Sequence, residues 1–343
     1  KALTAAQNDA NSLASVAKAC GVSVEVAETF YNWFVNTDKS MSLYSQGINQ
    51  SSSGTDKVNA IINTHLATGR IGKLGSGPLS LTGQPNAMGG REVGGLANQL
   101  AAHMGFDETD RDIVSAFWHT ENLATKQGLT AVELFDAVAE GTVKAVWVMA
   151  TNPVSSLPNA DKVKKALEQC ELVVVSDCIA KTDTLDVANI KLPAAGWSEK
   201  DGTVTNSERR ISKQNAFRPL AGEAKPDWWI ISELAKRMNF KEAFDYAHEG
   251  EIFREYAKMT GLNNPQGKAR RLSLAGLSAL GDRDYAELTP QQWPLPDVGS
   301  KDEKIKHKRL FSDGVFSTAS GRAQFVPLTH EAPASTKSRR YPL

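Results

Sequence analysis

The sequence is poor in cysteine, carries no excess charge and contains no long apolar run, and each shortage excludes a class of protein. Three cysteines, Cys20, Cys170 and Cys178, occur among 343 residues. None stands in a C-x-x-C pair or beside two histidines, so zinc and iron–sulfur frameworks find no ligands, and free thiols fit a reducing compartment. Lys plus Arg number 39, as do Asp plus Glu. With no net field to hold a polyanion, nucleic acid is not an expected partner. No segment approaches the roughly 18 to 20 apolar residues that span a bilayer, and the opening K-A-L-T-A-A-Q has no signal-like core. A soluble cytoplasmic chain without a membrane partner is expected. Six histidines, at 65, 103, 119, 248, 307 and 330, are too scattered for a metal site. No nucleophile and base form a recognisable pair. An initial Met is missing and the closing S-R-R-Y-P-L turns apolar, so both ends read as cuts.

What is present is the composition of a folded protein, 41% apolar and 23% charged, with length for two domains. The first forty residues predict helix, with Ser23 as N-cap and Val24, Ala27, Phe30, Tyr31 and Phe34 on one face. A short strand over 41–44 leads into the loop G-I-N-Q-S-S-S-G-T-D. Val58, Ile61, Ile62 and Leu66 then mark a helix closed by Gly69. From 69 to 95, nine of 27 positions are glycine, which predicts a loop with bared backbone. After Gly89-Gly90, a helical stripe of Val93, Leu96, Leu100 and Met104 is expected. The apolar run 145–150, a helix through Val163, Leu167 and Cys170, and E-L-V-V-V-S-D make a right-handed βαβ unit with parallel strands. A third strand is expected over 187–192, a turn at Asp201-Gly202, a helix capped by Asp227, another helix around 252–259 and a last hairpin at Asp313-Gly314. The fold class is α/β, with Rossmann-like three-layer α/β/α domains and parallel sheets. One part is expected over 1–105 with the glycine-rich loop, and a second over 106–343.

Several residue groups point to chemistry, each beside a plainer reading. In S-L-T-G-Q-P-N-A-M-G-G-R-E-V-G the glycines admit a large ligand to the main chain, and Gln84 and Asn86 offer amides to polar ring edges. A long surface loop is the plain alternative. No G-K-[ST] follows, and G-x-G-x-x-G after a strand does not fit, so ATP and NAD are poor candidates. Arg91, expected at a helix start, is oddly placed for a cation. Either Glu92 and solvent neutralise it, or it faces a small anion. Ligands gather beyond the carboxyl ends of parallel strands, which puts Asn152, Ser176 and Asp177 where a nucleotide docks. A carboxylate accepts both donors of a guanine edge, while a strand-end Asp also serves as a simple turn former. Lys200 and the run Glu208-Arg209-Arg210 supply cations whose default explanation is a solvated patch.

Taken together, Y-S-Q-G-I-N-Q-S-S-S-G-T-D-K, the glycine-rich block through M-G-G-R-E-V-G-G, T-N-P, V-V-V-S-D and L-P-A-A-G-W-S-E-K-D-G-T-V-T-N-S-E-R-R resemble the molybdopterin oxidoreductases of the dimethyl sulfoxide reductase type. The branch they are most similar to is the assimilatory nitrate reductases. The resemblance covers nearly the whole chain in order. It implies molybdenum held by two molybdopterin guanine dinucleotides, and reduction of nitrate to nitrite by oxygen-atom transfer. By position it implies Gln46 and Gln50 near pterin and metal, Gly83, Gln84 and Asn86 lining the site, and Asn152, Ser176 and Asp177 around guanine. Lys200 and Asp227 fall on positions holding phosphate, pterin or nucleotide, and Arg91 on the substrate arginine. An electron donor such as ferredoxin, flavodoxin or an NADH-linked subunit is implied. So are a [4Fe–4S] cluster upstream and a C-terminal β-barrel, neither within these residues, so this piece alone is expected to be inactive. A formate dehydrogenase subunit and a non-catalytic cofactor-binding subunit are the alternatives.

Overall fold

Alternating apolar runs and helical stripes become two separate sets of parallel strands. The structure, a computed structural model, describes residues 1–264, 270–297, 309–331 and 338–340. His307 and Tyr341-Pro342-Leu343 lie outside the described residues. The chain divides into two units, one holding Lys1–Pro85 with the described residues from 309 onward, the other beginning at Asn86. The boundary expected near residue 105 lies inside the second unit.

In the first unit the expected helical stretch is three helices, α1 (Ala2–Asp9), α2 (Leu13–Cys20) and α3 (Val24–Asn36). The breaks have local causes. Ser12 caps α2 by accepting the Ser15 N–H at 3.2 Å, Gly21 ends it at φ +67°, and Ser23 caps α3 through the Val26 N–H. Of the α3 stripe, Ala27 is buried and Phe34 half-buried, while Val24, Phe30 and Tyr31 are exposed. Strand β1 (Met41–Tyr44) runs parallel to β2 (Gly77–Ser80), with Met41 opposite Gly77 and Tyr44 opposite Ser80.

Helices α4 (Gln46–Asn49) and α5 (Gly54–Ala67) connect the two strands, so the segment expected as a loop is largely helical. The turn between them is so tight that a Cβ on Gly54 would sit 2.3 Å from the Asn49 carbonyl oxygen. Gly69, at φ +62°, closes α5 as expected. At Asp313-Gly314 there is a turn without a strand ladder. Its neighbours Phe311 and Phe316 stack at 4.9 Å, and this packing replaces the expected hairpin.

His65 on α5 is expected to make this unit sensitive to pH. Its ring is fully buried, Nε2 lies 2.8 Å from the Ser42 hydroxyl, and Nδ1 has no partner among the described residues. Burial, and then the nearby Arg70 charge, hold the imidazole below its ordinary value. The unfolded chain therefore takes up this proton first. The associated stability is fully present above the unfolded value near 6.5 and is lost as pH falls below it. The His65 ring is expected to titrate below about 6.5 by NMR, with the unfolding transition moving down between about pH 7.5 and 5.5. Titration at or above the free value would contradict this.

The second unit opens with α6 (Ala87–Glu92), a single-turn helix over Ala101–His103, α7 (Glu108–Trp118) and α8 (Ala131–Ala139). Then come β3 (Ala145–Met149), α9 (Pro153–Ser156), α10 (Ala160–Gln169), β4 (Leu172–Asp177), α11 (Asp183–Asp186) and β5 (Ile190–Pro193). The three strands form a parallel sheet in the order β3-β4-β5, as expected. Alternate residues Val146, Val148, Val173 and Val175 face Val138, Val163, Ala166 and Leu167 of α8 and α10, and this apolar layer is the core. Strand β5 begins three residues later than expected because the Asn189 side chain, accepting the Val173 N–H at 2.6 Å, stands in for the ladder.

Antiparallel strands β6 (Gly202–Thr205) and β7 (Arg210–Gln214) follow, then α12 (Asp227–Arg237), α13 (Glu249–Gly261), α14 (Asp282–Ala286) and β8 (Gln291–Gln292), which pairs with β7. The reversal lies at 206–209, not at Asp201-Gly202, because Gly202 already pairs with Gln214. Asn206 builds this turn by accepting the Glu208 and Arg210 N–H groups, with Arg209 at φ +69°. Asp227 is the first helical residue of α12, and Pro226 takes the cap position. The glycine-rich 69–95 stretch contains β2 and α6. No helix carries the stripe from Val93 to Met104, since α6 ends at Glu92. Among the described residues no helix is long and apolar enough to cross a membrane.

Candidate functional site

The parallel sheet of the second unit ends in a cleft. Beyond the carboxyl ends of β3, β4 and β5, Asn152, Asp177, Lys200 and Asp227 line one cavity of about 360 Å3, together with Cys178, Thr182 and Trp197. Crossover connections force the strand ends to splay, so backbone and side-chain polar groups converge there. The cavity brings together four sequence-predicted positions drawn from separate parts of the chain. A fifth, Ser176, is not among its lining. It is fully buried, and its hydroxyl accepts the Trp147 indole N–H at 2.8 Å. Its contribution is to hold the end of β4.

Asn152, Asp177, Lys200 and Asp227 each make a hydrogen bond within the protein. Asn152 Oδ1 accepts the Thr184 hydroxyl at 2.6 Å, which leaves the amide nitrogen as a donor. Asp177 Oδ1 accepts the Ile179 N–H at 3.0 Å, and its second oxygen is an acceptor. Lys200 Nζ donates to Asp227 Oδ2 at 2.9 Å, both side chains being about a quarter exposed. Asp227 Oδ1 is buried and has no hydrogen-bond partner among the described residues. A buried carboxylate oxygen without a donor is costly. A larger cavity of about 730 Å3 lies on the second face of the same sheet, between Trp147, Val174, Ile190 and Leu192 and residues of α12. Its charged lining is Glu223, Glu233, Lys225 and Arg237, and no amide side chain lines it.

The cations expected as a solvated patch are engaged. Lys200 pairs with Asp227, Arg210 with Glu208 at 2.8 Å, and Arg209 lies 5.4 Å over the Trp293 ring. Among the described residues no group of three or more His, Cys, Asp or Glu gathers as a metal site.

Arg91 is placed differently from the expectation. It stands in the last turn of α6, not the first, and there a cation suits the helix dipole. The side chain is exposed and has no partner among the described residues. Glu92 does not neutralise it, because its carboxylate is buried among Thr205, Tyr256 and Trp293. Asn86, at the other end of α6, points inward and accepts the Thr205 N–H at 2.9 Å. Gly89 makes room for that side chain, since a Cβ there would sit 2.2 Å from Asn86 Oδ1.

In the first unit the same strand-end rule gathers a second group. Gln46 follows β1 while Gly83 and Gln84 follow β2, and Gln46 Nε2 donates to Gln84 Oε1 at 3.1 Å. The Ser45 hydroxyl lies against the Gln46 side-chain oxygen Oε1 and the Leu81 main-chain carbonyl. Gly83 leaves its outer side open to the Gln46 amide, 3.5 Å from where a Cβ would stand. Gln50, exposed at the end of α4, is not joined to this pair. Trp197, Thr182 and the buried partners of Glu92 were not anticipated. Trp197 lay inside the recognised L-P-A-A-G-W-S-E-K-D block, which was the available signal.

The family profile described as Molybdopterin oxidoreductase matches residues 3–237. The nitrate reductase of Shewanella frigidimarina is 48% identical over 94% of this chain and 34% of its own length. That of Klebsiella oxytoca is 47% identical over 100% of this chain and 38% of its own. A formate dehydrogenase subunit alpha of Methanocaldococcus jannaschii is 32% identical over 95% of this chain and 45% of its own. The chain thus spans well under two thirds of each relative. A solved structure, acetylene hydratase from Pelobacter acetylenicus, aligns at a TM-score of 0.40 with 20% identity over 66% of this chain and 24% of that one, too loosely to carry weight.

Proposed function

Because the chain belongs to the molybdopterin oxidoreductase family, we propose that it forms part of the catalytic subunit of a molybdenum-dependent nitrate reductase carrying a bis-molybdopterin guanine dinucleotide. The observation that carries the cofactor reading is the cleft beyond β3, β4 and β5, where Asp227 Oδ1 is buried without a donor. The residues present fit such a group. Asp177 and Asp227 accept the N–H donors of a guanine edge, the Asn152 amide donates to a carbonyl or phosphate oxygen, and Lys200 offsets phosphate charge. Trp197 offers a ring face to a base. In the first unit, Gln46, Gly83 and Gln84, with Gln50, are assigned to the pterin and metal end.

Bound, the cofactor supplies oxygen-atom acceptance and two-electron redox chemistry, by which nitrate becomes nitrite. The chain's own part is to hold and orient. The exposed Arg91 guanidinium is suited to a planar anion, which it meets with two parallel N–H donors. The identities favour nitrate over formate, 48% and 47% for the two nitrate reductases against 32% for the formate dehydrogenase subunit. An external donor such as ferredoxin, flavodoxin or an NADH-linked subunit, a [4Fe–4S] cluster to receive its electrons, and a cytoplasmic setting belong to the same proposal.

Turnover and metal analysis of the full-length protein test it. Molybdenum with guanine nucleotide, and nitrate reduction exceeding formate oxidation, are expected. Formate oxidation alone would favour the formate dehydrogenase reading, and absence of molybdenum would leave a binding subunit.

A further inference from the structure

Arg91 and Glu92 are adjacent acid and base, yet their side chains part. Arg91 is exposed, while Glu92 is 1% exposed. The Glu92 carboxylate accepts three hydrogen bonds from three separate segments: Trp293 Nε1 to Oε1 at 2.6 Å, and the Thr205 and Tyr256 hydroxyls to Oε2, each at 2.9 Å. Thr205 ends β6, Tyr256 lies on α13, and Trp293 follows β8.

Taking a carboxylate out of water is costly even when it is well bonded, and an apolar residue would anchor a helix at lower cost. Three directional bonds do something apolar contact does not. They fix rotation about the helix axis, and successive helical side chains leave that axis about 100° apart. Locking Glu92 therefore sets the direction in which Arg91 emerges.

The helix needs such a lock. It has six residues with Gly89-Gly90 at its centre, far short of the roughly 12 to 15 at which an isolated helix begins to persist. Both of its ends dock on one residue, Thr205, whose N–H meets Asn86 and whose hydroxyl meets Glu92. Trp293 is itself held, with the Arg209 guanidinium 5.4 Å over its ring and Arg209 Nε donating to its carbonyl at 3.2 Å. Burial pushes the Glu92 carboxyl upward, while the Trp293, Thr205 and Tyr256 donors hold it back. The Tyr256 hydroxyl is kept protonated, first by burial and then by the Glu92 charge.

Resting on the reading that Arg91 meets nitrate, we propose that Glu92 is a positioning residue whose buried carboxylate, held by Thr205, Tyr256 and Trp293, sets the direction in which Arg91 presents its guanidinium to the substrate anion.

The test uses the full-length holoenzyme. Glu92→Gln keeps the shape but turns an amide donor toward a donor. It is expected to raise the nitrate KM and the calorimetric nitrate Kd about tenfold, with kcat within about threefold and molybdenum content unchanged. If Glu92 acts through Arg91, the double variant with Arg91→Lys loses no more than Arg91→Lys alone. A residue that only supports the fold would lower Tm, molybdenum content and kcat together and give additive losses, which would overturn the proposal. Should Glu92→Gln fail to fold, Tyr256→Phe, which removes one donor, decides. A raised KM supports positioning, and an unchanged KM ends it. If Arg91→Lys leaves KM unchanged, the nitrate reading of Arg91 fails. If only Arg91→Lys raises it, the inference about Glu92 fails alone.

Discussion

Replacing Asp227 by Ala in the full-length protein is expected to yield folded polypeptide holding less than about a tenth of the normal molybdenum and guanine nucleotide, from the loss of hydrogen bonds to a charged group worth roughly 1.5–3 kcal/mol each. Asp227 is the residue in the cleft with an unmet need. Its Oδ2 takes Lys200 Nζ at 2.9 Å, and its Oδ1 is buried with no donor. Removing the carboxylate also leaves the Lys200 ammonium without a counter-charge, where it repels a ligand donor and ceases to be aimed. The fold is expected to survive, because the core beneath the cleft is the apolar layer of Val146, Val148, Val173, Val175 and Leu167, which does not involve Asp227. Circular dichroism alongside metal and nucleotide analysis separates the two effects. Asp227→Asn, which keeps one acceptor oxygen, is expected to retain more cofactor than Ala. A fully loaded Ala variant would remove the cleft from the account.

The second large effect is expected at Arg91. Steady-state assays of the Arg91→Ala enzyme should show kcat/KM for nitrate reduced about a hundredfold, since a guanidinium makes two charge-assisted bonds to a planar oxyanion and Ala makes none. Lys is expected to fall between the two, because its ammonium keeps the charge and loses the fork. The structural ground is the surface position of Arg91. Its side chain is exposed, pairs with no described residue, and its sequence neighbour Glu92 is committed elsewhere. Loss of molybdenum in Arg91→Ala would mean that the guanidinium holds the cofactor and not the substrate.

Much of this site could be read from residue order alone, and the limits of that reading have physical causes. The β3-α10-β4 unit was legible because A-V-W-V-M-A and L-V-V-V-S-D are too apolar for an exposed strand, and the helix between them repeats at Val163 and Leu167. Once the strands were placed, the strand-end rule located Asn152 and Asp177. That rule is topological and does not depend on exact boundaries. What escaped was set by distant contacts. Gly89-Gly90 reads as the end of a loop, yet it lies within α6, since Asn86 and Glu92 tie both ends of that turn to Thr205 across more than a hundred residues. Local propensity yielded there to tertiary anchoring. Asp201-Gly202 had the stronger turn signal, but the reversal formed where Asn206 caps two backbone amides. Neutralisation of Arg91 by Glu92 and solvent was one of two readings, because adjacency in sequence suggests contact, whereas adjacent helical side chains diverge.

The position of the nucleotide in the intact holoprotein is the most direct test of the cleft. A structure of that protein with its cofactor bound should place a guanine nucleotide beyond the ends of β3, β4 and β5, with a donor within hydrogen-bonding reach of Asp227 Oδ1 and Asp177 beside it. Nucleotide density elsewhere, with Asp227 Oδ1 still without a donor, would contradict it.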